Sequence, residues 1–571
     1  MALLNAIQQM FSDMTRILDI PEDERNLIRK KAEALPLLIQ NISAFWERAS
    51  DKQALTRNDL SKLYEALKTS DAAELAPIDT ILAGLSLPEK ESDLLSAAEL
   101  YRWGAELDGF SPRVPGTHSM DVTTAYLTEK LKSFGLETWQ EQINFRGVFF
   151  REWSFTILTP TERPFICFPQ NNVAFGDIES ELIYVGGGHE EDYEGKDVRG
   201  KIVLLNWGRI WDHEGPCALH ERYGLLRLYD IAFARGATGM VGFFEDTPGN
   251  TLKLLEPGIK PTGGSNVWGP SEMGPDHQFK LPAVVIGKED GLELKALLQN
   301  GEPTLARLSV YGKRKISTTQ SVLGFLPGTG TEAIACAAHS CTAFEGAVCD
   351  TVGVVGVLAL AKYFASVPLS ARPKSILFFM DSFHVWGNCC QTANAILKNH
   401  ATLADRIEAF LWLDHVSDGN ASTGRTMTTS DNPVLWPLAT LAMAQRGIRP
   451  VSLPVGHIWT TCANGAFERR GIPNLTMQAF GDDVLTTEDT WDKFDEKVLL
   501  RDILLYVDIA KALQILSVPE NAPKEPVGGC GSLFTETETP SYPLGESYVP
   551  EPDYPLYIGG ADGPVRILER P

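Results

Sequence analysis

Runs of apolar residues that end in a polar side chain dominate the middle of the chain. Residues 333–338 read Ala-Ile-Ala-Cys-Ala-Ala and are followed by His339. Six small or apolar residues in a row are typical of a strand buried on both faces. Similar runs at 376–380 and 410–413 are followed by Asp381 and Asp414. Between 319 and about 517 such runs alternate with helical segments, which predicts a mostly parallel sheet flanked by helices.

The pattern divides the chain into four parts. Residues 1–92 have apolar residues at helical spacing and predict a helical appendage. Residues 93–145 and 313–517 mix helices and strands and form one predicted α/β domain. Residues 146–312 contain short strand patterns separated by glycine turns, which predicts an inserted β-rich domain. Residues 518–571 are rich in proline and tyrosine, so we expect an extended C-terminal arm that lies on another surface or is partly disordered.

Length and charge restrict the classes of function. With 571 residues the chain is too long for one hydrophobic core. The formal net charge of −23 argues against a nucleic-acid or anionic-membrane surface, because both need clustered lysine and arginine. The longest apolar stretch, 352–365, is shorter than the ~18 residues that span a bilayer, and it contains Lys362. We therefore expect no nucleic acid and no membrane among the partners.

The cysteines indicate a compartment. The N-terminus has no basic region followed by an apolar core, so no secretory signal is expected. Nine cysteines in such a chain are expected to be reduced thiols, which predicts a cytoplasmic protein. The N-terminal helices or the C-terminal arm could hold a homo-oligomer together.

Several motifs, in the same order, resemble those of the zinc aminopeptidase and carboxypeptidase superfamily, which also contains glutamate carboxypeptidase and the transferrin receptor. Residues 113–117, Arg-Val-Pro-Gly-Thr, resemble its first loop, and 197–203 and 236–239 resemble a protease-associated domain. The resemblance covers roughly residues 95–515. It implies an aminopeptidase-like α/β domain with a protease-associated insert at 146–312, zinc as the cofactor, and a peptide-like or small-molecule substrate.

The first two ligand motifs are altered. Where the family has a strand ending in His-x-Asp, this chain has His339 followed by serine and Cys341. Where the family has Gly-x-x-Asp-Asn-x-Ser-Gly, whose aspartate bridges two metals, this chain has 346–353. Aligned without a gap, Cys349 takes the bridging position; a slip of one residue places Asp350 there. We favour the ungapped alignment, because both glycines then match.

The third motif keeps one possible donor, and the fourth motif keeps its aspartate. The family has Glu-Glu-x-Gly, a general base followed by a zinc ligand. Anchoring on Gly387 puts His384 and Val385 at these positions, whereas anchoring on Asp381 puts Phe383 and His384 there. In either alignment only His384 could act, as base or as ligand. The aspartate of the fourth motif is kept as Asp414.

The last ligand motifs have lost their donors. The family's Ser-Asp-His appears as Cys462, alanine and Asn464, and its final histidine, before Thr-x-x-Asp-Thr, is replaced by Leu485. Leucine cannot bind a metal, so the second metal site is predicted to be absent. A mechanism that needs two ions is then excluded.

Three functions remain open. The first is a hydrolase-like enzyme with one divalent metal, zinc by preference, held by His339, Asp414 and either Cys349 or Asp350, with His384 as general base. Glutaminyl cyclases, which are similar in fold, work with a single zinc. The second is a cysteine-dependent enzyme, and the third is a non-catalytic binding or scaffold protein, as the transferrin receptor is. A catalytic thiol would be Cys341, Cys349 or Cys462, paired with His384 or His415.

The remaining polar residues are expected to have structural roles. His415 and His457 are interpreted as structural histidines. Asp482, Asp483 and Asp489 are interpreted as solvated loop charges or helix caps.

Overall fold

The computed structural model describes residues 94–521, together with 557–560 and 563–566. Internal gaps in this description are 171–172, 209–210, 213–214, 217–223, 246, 255–278, 387–390, and single positions or short stretches between 431 and 480. The predictions for 1–92, Gly387, His457, Cys462 and most of 518–571 lie outside the described residues.

Nine α-helices are described, in chain order from α1 to α9. They are Ala97–Asp108, His118–Ser133, Gly224–Ala234, Lys288–Gln299, Val352–Ser366, Gln391–Asn399, Ala401–Ala404, Ala463–Arg469 and Glu496–Ile515. Short 3-10 turns cover Glu190–Tyr193, Leu369–Ala371 and Trp491–Lys493.

The described strands are numbered β1 to β18 in chain order. They are Glu137–Thr159, Arg163–Phe165, Cys167–Pro169, Gly176–Tyr184, Ile202–Asn206, Trp211–Asp212, Gly215–Pro216, Gly239–Phe243, Ala283–Ile286, Leu305–Leu326, Ala333–His339, Ser375–Asp381, Ile407–Trp412, Arg425–Thr429, Pro450–Ser452, Asn474–Gln478, Tyr557–Gly560 and Gly563–Arg566.

One large sheet runs through the described part of the molecule, in the order β15-β14-β16-β13-β11-β12-β10-β4-β5-β8-β9-β3; β1 pairs with β10, and β2 pairs with β1. Its centre is parallel, because β11 pairs with both β12 and β13, and β13 pairs with β16. Strands β10 and β14 join this centre in antiparallel pairing. The predicted α/β fold with a mostly parallel sheet and flanking helices is confirmed.

Helices cover both faces of the parallel centre. On one face α5 packs against β11, α1 and α9, and on the other α8 packs against β13, β16 and α6. The apolar stretch Ala347–Ser366, which contains α5, is long and apolar enough to cross a membrane, but 94% of its apolar 18-residue window is buried inside the protein. Burial in this core explains a composition that is apolar on all sides.

A long antiparallel ribbon joins the two predicted domains. Strands β1 and β10 pair from Glu137 and Phe325 at one end to Thr159 and Leu305 at the other. The predicted boundaries at 145/146 and 312/313 fall inside this ribbon. Because β10 also pairs with β4, the strands of the insert extend the main sheet.

A second contact links the insert to the loop that carries Leu485. The N–H of Leu254 donates to the carbonyl of Leu485 at 2.9 Å, and the N–H of Thr487 donates to the carbonyl of Leu252 at 3.0 Å. In the C-terminal segment, β17 and β18 form a hairpin that contacts β1, β2 and β3.

Candidate functional site

Three neighbouring strands bring polar side chains to one edge of the sheet. His339 ends β11, Asp381 ends β12 and Asp414 follows β13 by two residues. His339 and Asp381 are direct partners in the parallel ladder. The carboxyl ends of parallel strands meet at one edge, which is where α/β proteins place their sites. The prediction of a fully buried strand ending at His339 is confirmed.

An irregular turn, Ala347–Thr351, supplies the second group of side chains. Within it Cys349 (φ −118°, ψ 81°) and Asp350 (φ −144°, ψ 49°) leave the helical conformation just before α5 begins. Cys349 is turned towards β11, and its Sγ lies 3.7 Å from Nε2 of His339. Asp350 lies beside the backbone of β11.

The Asp350 carboxylate is occupied by main-chain donors. It accepts from the backbone N–H groups of His339 (3.3 Å), Gly353 (3.0 Å) and His415 (3.3 Å). A Cβ on Gly353 would lie 2.3–2.4 Å from both carboxylate oxygens, so only glycine permits this approach. Asp350 therefore ties together the ends of β11 and β13 and the start of α5.

Asp414 faces two imidazole rings. Its Oδ2 accepts from the side-chain amide of Gln478 at 2.7 Å. Its Oδ1 lies 3.5 Å from Nε2 of His339 and 3.3 Å from Nε2 of His415, yet accepts no hydrogen bond of good geometry from the described residues. A buried carboxylate oxygen without a proper donor indicates a place for a proton or a cation.

The His339 ring is held so that Nε2 points into this cluster. Its Nδ1 lies 2.9 Å from the carbonyl oxygen of Cys341. A carbonyl can only accept, so Nδ1 carries the proton, and Nε2 is the nitrogen that faces Cys349 and Asp414. Metal-binding histidines are commonly oriented by such a bond from the other ring nitrogen.

The pKa values show that the cluster favours a positive charge. Burial lowers the pKa of His339, but the neighbouring Cys349, Asp350 and Asp414 outweigh it and hold the pKa well above its ordinary value. Burial raises the pKa of Asp414, but His415 and His339 outweigh it and keep that pKa below the ordinary value. Burial and the charge of Asp414 raise the pKa of the Asp350 carboxyl.

Two overlapping sets of three donors fit a divalent metal. The donor atoms of His339, Asp350 and Asp414 lie within 4.8 Å of one another, and so do those of His339, Cys349 and His415. Two ligands at tetrahedral zinc are roughly 3.3–3.8 Å apart, given bond lengths of about 2.0–2.3 Å. The measured pairs, at 3.5 and 3.7 Å from His339 Nε2, have this spacing.

The predicted catalytic residues lie on different sides of His339. The His384 ring stacks on the His339 ring, with centroids 4.2 Å apart and planes 4° from parallel, and is 3% exposed. Cys341 Sγ lies 3.9 Å from Nδ1 of His339, on the side opposite Cys349, and accepts from the N–H of Val385 at 3.2 Å. Among the described thiols, Cys349 is thus the one that faces the donor cluster.

The residues at the positions of the family's second metal site are apolar and buried. Val385 and Leu485 are 0% and 4% exposed and belong to the main hydrophobic core. Phe383, the alternative residue in the third motif, packs on Phe145 with ring centroids 4.4 Å apart.

Two residues lie closer to the cluster than their structural interpretation suggests. His415, interpreted as structural or as the partner of a catalytic thiol, lies with its Nε2 3.3 Å from Asp414 Oδ1. Asp489, interpreted as a solvated charge or a cap, is buried and accepts from the N–H groups of Val348 (2.7 Å) and Cys349 (3.2 Å), so the cap interpretation fits and solvation does not. Burial raises its pKa to about 7. Asp483, by contrast, forms a partly exposed ion pair with Lys493.

A buried arginine binds the chain segments that flank the cluster. The Arg113 guanidinium donates to the carbonyls of Ser340 (2.6 Å) and Leu107 (3.1 Å) and to the hydroxyls of Ser111 (3.0 Å) and Thr351 (2.9 Å). Burial lowers its pKa to about 10. The first loop of the family resemblance therefore anchors the segments on both sides of the donors.

Comparisons with known proteins identify the fold. No protein-family profile and no curated protein matches the sequence. A peptidase M28 precursor from Shewanella amazonensis SB2B matches with a TM-score of 0.62 and 15% identity, over 78% of this chain and 100% of that one. A zinc aminopeptidase from Bacillus subtilis matches with a TM-score of 0.55 and 17% identity, over 77% and 98%. An aminopeptidase from Aneurinibacillus sp. strain AM-1 matches with a TM-score of 0.50 and 21% identity, over 76% and 97%. The chain therefore has the fold of the zinc aminopeptidases.

Proposed function

We propose that this protein is a hydrolase-like enzyme that holds at most one divalent metal and acts on an amide bond of a peptide-like or small-molecule substrate. The observation that supports this most strongly is the surroundings of His339 Nε2. It lies 3.5 Å from Asp414 Oδ1 and 3.7 Å from Cys349 Sγ, and all three residues are buried. Such spacing suits ligands of one ion.

The residues of the cluster have separate tasks in this proposal. His339 and Asp414, with Cys349 or Asp350, would hold the ion. A bound zinc supplies Lewis acidity, which polarises a carbonyl group. His384, stacked on His339, is the general base, because imidazole is the side chain that exchanges a proton most readily near neutral pH. Gln478 fixes Asp414 through its other oxygen.

The substrate class is proposed from the fold. The three similar structures are named as aminopeptidases or a peptidase, which favours an amide bond. The buried, apolar Val385 and Leu485 make a second ion unsuitable, so the reaction is not the two-metal reaction. We propose a cytoplasmic enzyme, with neither nucleic acid nor membrane as a partner, because the net charge is −23 and the nine cysteines are expected to be reduced.

Metal analysis of the purified full-length chain tests the proposal. We expect about one zinc per chain, lost in His339→Ala and kept in His118→Ala, which changes an exposed histidine at the start of α2. The same three proteins are assayed on aminoacyl nitroanilides and on short peptides, with release of amine as the signal. Hydrolysis by the wild type and the control, but not by His339→Ala, supports the enzyme.

Two alternatives are supported by particular observations. A non-catalytic binding protein is favoured by the apolar Val385 and Leu485; absence of both metal and hydrolysis would support it. A cysteine-dependent enzyme is favoured by the 3.7 Å approach of Cys349 Sγ to His339 Nε2. Metal-independent hydrolysis that iodoacetamide abolishes would support the thiol enzyme.

A further inference from the structure

We infer that the metal ligands are His339, Cys349 and His415, a set of one sulfur and two nitrogens, and that Asp350 is not a ligand. This inference rests on the proposed metal-dependent function and specifies its site. It departs from the ligands given above, His339 and Asp414 with Cys349 or Asp350, because His415 replaces Asp414, which stays beside both imidazoles as a negative charge.

The position of the Cys349 thiol suits a metal ligand. Cys349 Sγ lies 3.7 Å from His339 Nε2, which is close to the ~3.6 Å expected for sulfur and nitrogen on one tetrahedral zinc. The donor atoms of His339, Cys349 and His415 lie within 4.8 Å of one another. Three protein ligands are typical of catalytic zinc, which keeps one further position for water or substrate.

The Asp350 carboxylate is already used as a hydrogen-bond acceptor. Its two oxygens already accept three main-chain hydrogen bonds, from β11, from His415 in the loop after β13 and from α5. If Asp350 bound a metal, these amides would lose part of their acceptor in the interior, where an unpaired N–H costs about 1–3 kcal/mol. Asp350 is therefore better suited to position His339 and His415 than to bind.

The backbone conformation of His415 directs its ring into the cluster. Its φ of 50° is in the left-handed region, which is uncommon for a residue with a side chain. The conformation is held on both sides, because its N–H donates to Asp350 and its carbonyl accepts from the N–H of Ala479 at 2.7 Å. This arrangement turns the ring towards Asp414 at 3.3 Å. Strained residues held in this way are frequent at functional sites.

The negative charges near His339 suit a divalent cation. A doubly charged cation in this buried cluster needs two negative charges nearby. The Cys349 thiolate supplies one as a ligand, and Asp414, beside both imidazoles, supplies the other. Binding then replaces the thiol proton, which is released to solvent as the sulfur–metal bond forms. A thiolate with two imidazoles selects zinc or cobalt over magnesium and calcium, which prefer oxygen.

Cobalt(II) substitution tests the inference with a readout other than activity. The metal-free full-length chain is titrated with Co²⁺ and its absorption spectrum recorded. We expect a near-ultraviolet sulfur-to-cobalt charge-transfer band at about one ion per chain. Cys349→Ser should abolish the band. Cys341→Ser is the matched control, because Cys341 is also buried beside His339 but lies near Nδ1 instead of Nε2, and it should keep the band.

Two further variants separate ligand from positioning roles. His415→Asn keeps a residue that tolerates the left-handed backbone, so the loss of affinity reports on the ring. We expect it to weaken Co²⁺ binding by more than the ~10–100-fold typical of residues that only orient ligands. Asp350→Asn should stay within that range and keep the band.

X-ray absorption of the zinc-bound wild type needs no variant and covers the case in which Cys349→Ser misfolds. We expect one sulfur neighbour at about 2.3 Å. Binding of one ion without sulfur, or a band that survives Cys349→Ser, would overturn the ligand set while leaving the proposed metal-dependent function standing. Failure to bind zinc or cobalt at all would contradict both the ligand set and the proposed metal-dependent function.

Discussion

Two groups of residues stand at positions that correspond to metal-site motifs in the family resemblance, and their chemistry differs. The donor side, around His339, carries sulfur, nitrogen and oxygen donors at metal-ligand spacing. The apolar side, Val385 and Leu485, has aliphatic groups that belong to the hydrophobic core. The fold of the zinc aminopeptidases is therefore compatible with either chemistry at these positions.

Hydrogen bonds between side chains and the main chain hold the loops around the donor side. Asp350 binds three backbone amides, Asp489 caps the turn of Cys349, and Arg113 binds the carbonyl of Ser340. These contacts fix the positions of the loops that carry the donors.

Gly353→Ala should have the largest effect. The added Cβ would lie 2.0 Å from the Leu413 carbonyl and 2.3–2.4 Å from the Asp350 oxygens, so both anchors must move. We expect the free energy of unfolding to fall by roughly 4 kcal/mol, measured by urea denaturation. Gly109→Ala, at an α-helical φ of −61° with its nearest atom at 3.4 Å, is the control and should change little.

Arg113→Met should come next. It removes the four hydrogen bonds that the guanidinium donates and leaves the Ser340 and Leu107 carbonyls without this donor. We expect destabilisation of about 3 kcal/mol and a weaker hold on zinc, since the segment after His339 loses its anchor. Arg102→Met, at an arginine whose side chain is 63% exposed, provides the comparison. Equal effects of the two variants would show that Arg113 does not support the site.

Zinc bound by the donor side should raise the free energy of unfolding. At a free concentration about 100 times the dissociation constant, an ion that binds only the folded state adds ~2.7 kcal/mol. Thermal unfolding with and without zinc measures this gain. The gain should vanish in His339→Ala and remain in His118→Ala; an equal gain in His339→Ala would place the ion elsewhere.

Leu485→His should have the smallest effect and bears on the apolar side. The leucine is 4% exposed, so its replacement loses buried apolar surface and costs about 1–2 kcal/mol. Because Val385 supplies no second donor, the zinc content should stay at about one ion per chain by elemental analysis. A rise towards two ions would show that the apolar side had lost only a single ligand.

Much of the fold follows from local patterns. The apolar run before His339 predicts β11, and the run before Asp414 predicts β13, because buried parallel strands need continuous apolar residues. The boundary of the insert does not follow in this way. The ribbon of β1 and β10 continues through it, and pairing between residues 137–159 and 305–326 is a long-range property that a local pattern cannot contain.

The sequence by itself determined which donors exist along the chain: His339 and Asp414 at strand ends, Cys349 and Asp350 in sequence, and aliphatic residues at Val385 and Leu485. Tertiary structure decided which atoms meet. It directs Asp350 to three backbone amides, turns Cys349 and His415 towards His339, and buries Asp489 under the Cys349 turn. The physical reason is that side-chain direction in an irregular turn depends on hydrogen bonds to residues up to 141 positions away, which spacing along the sequence does not record.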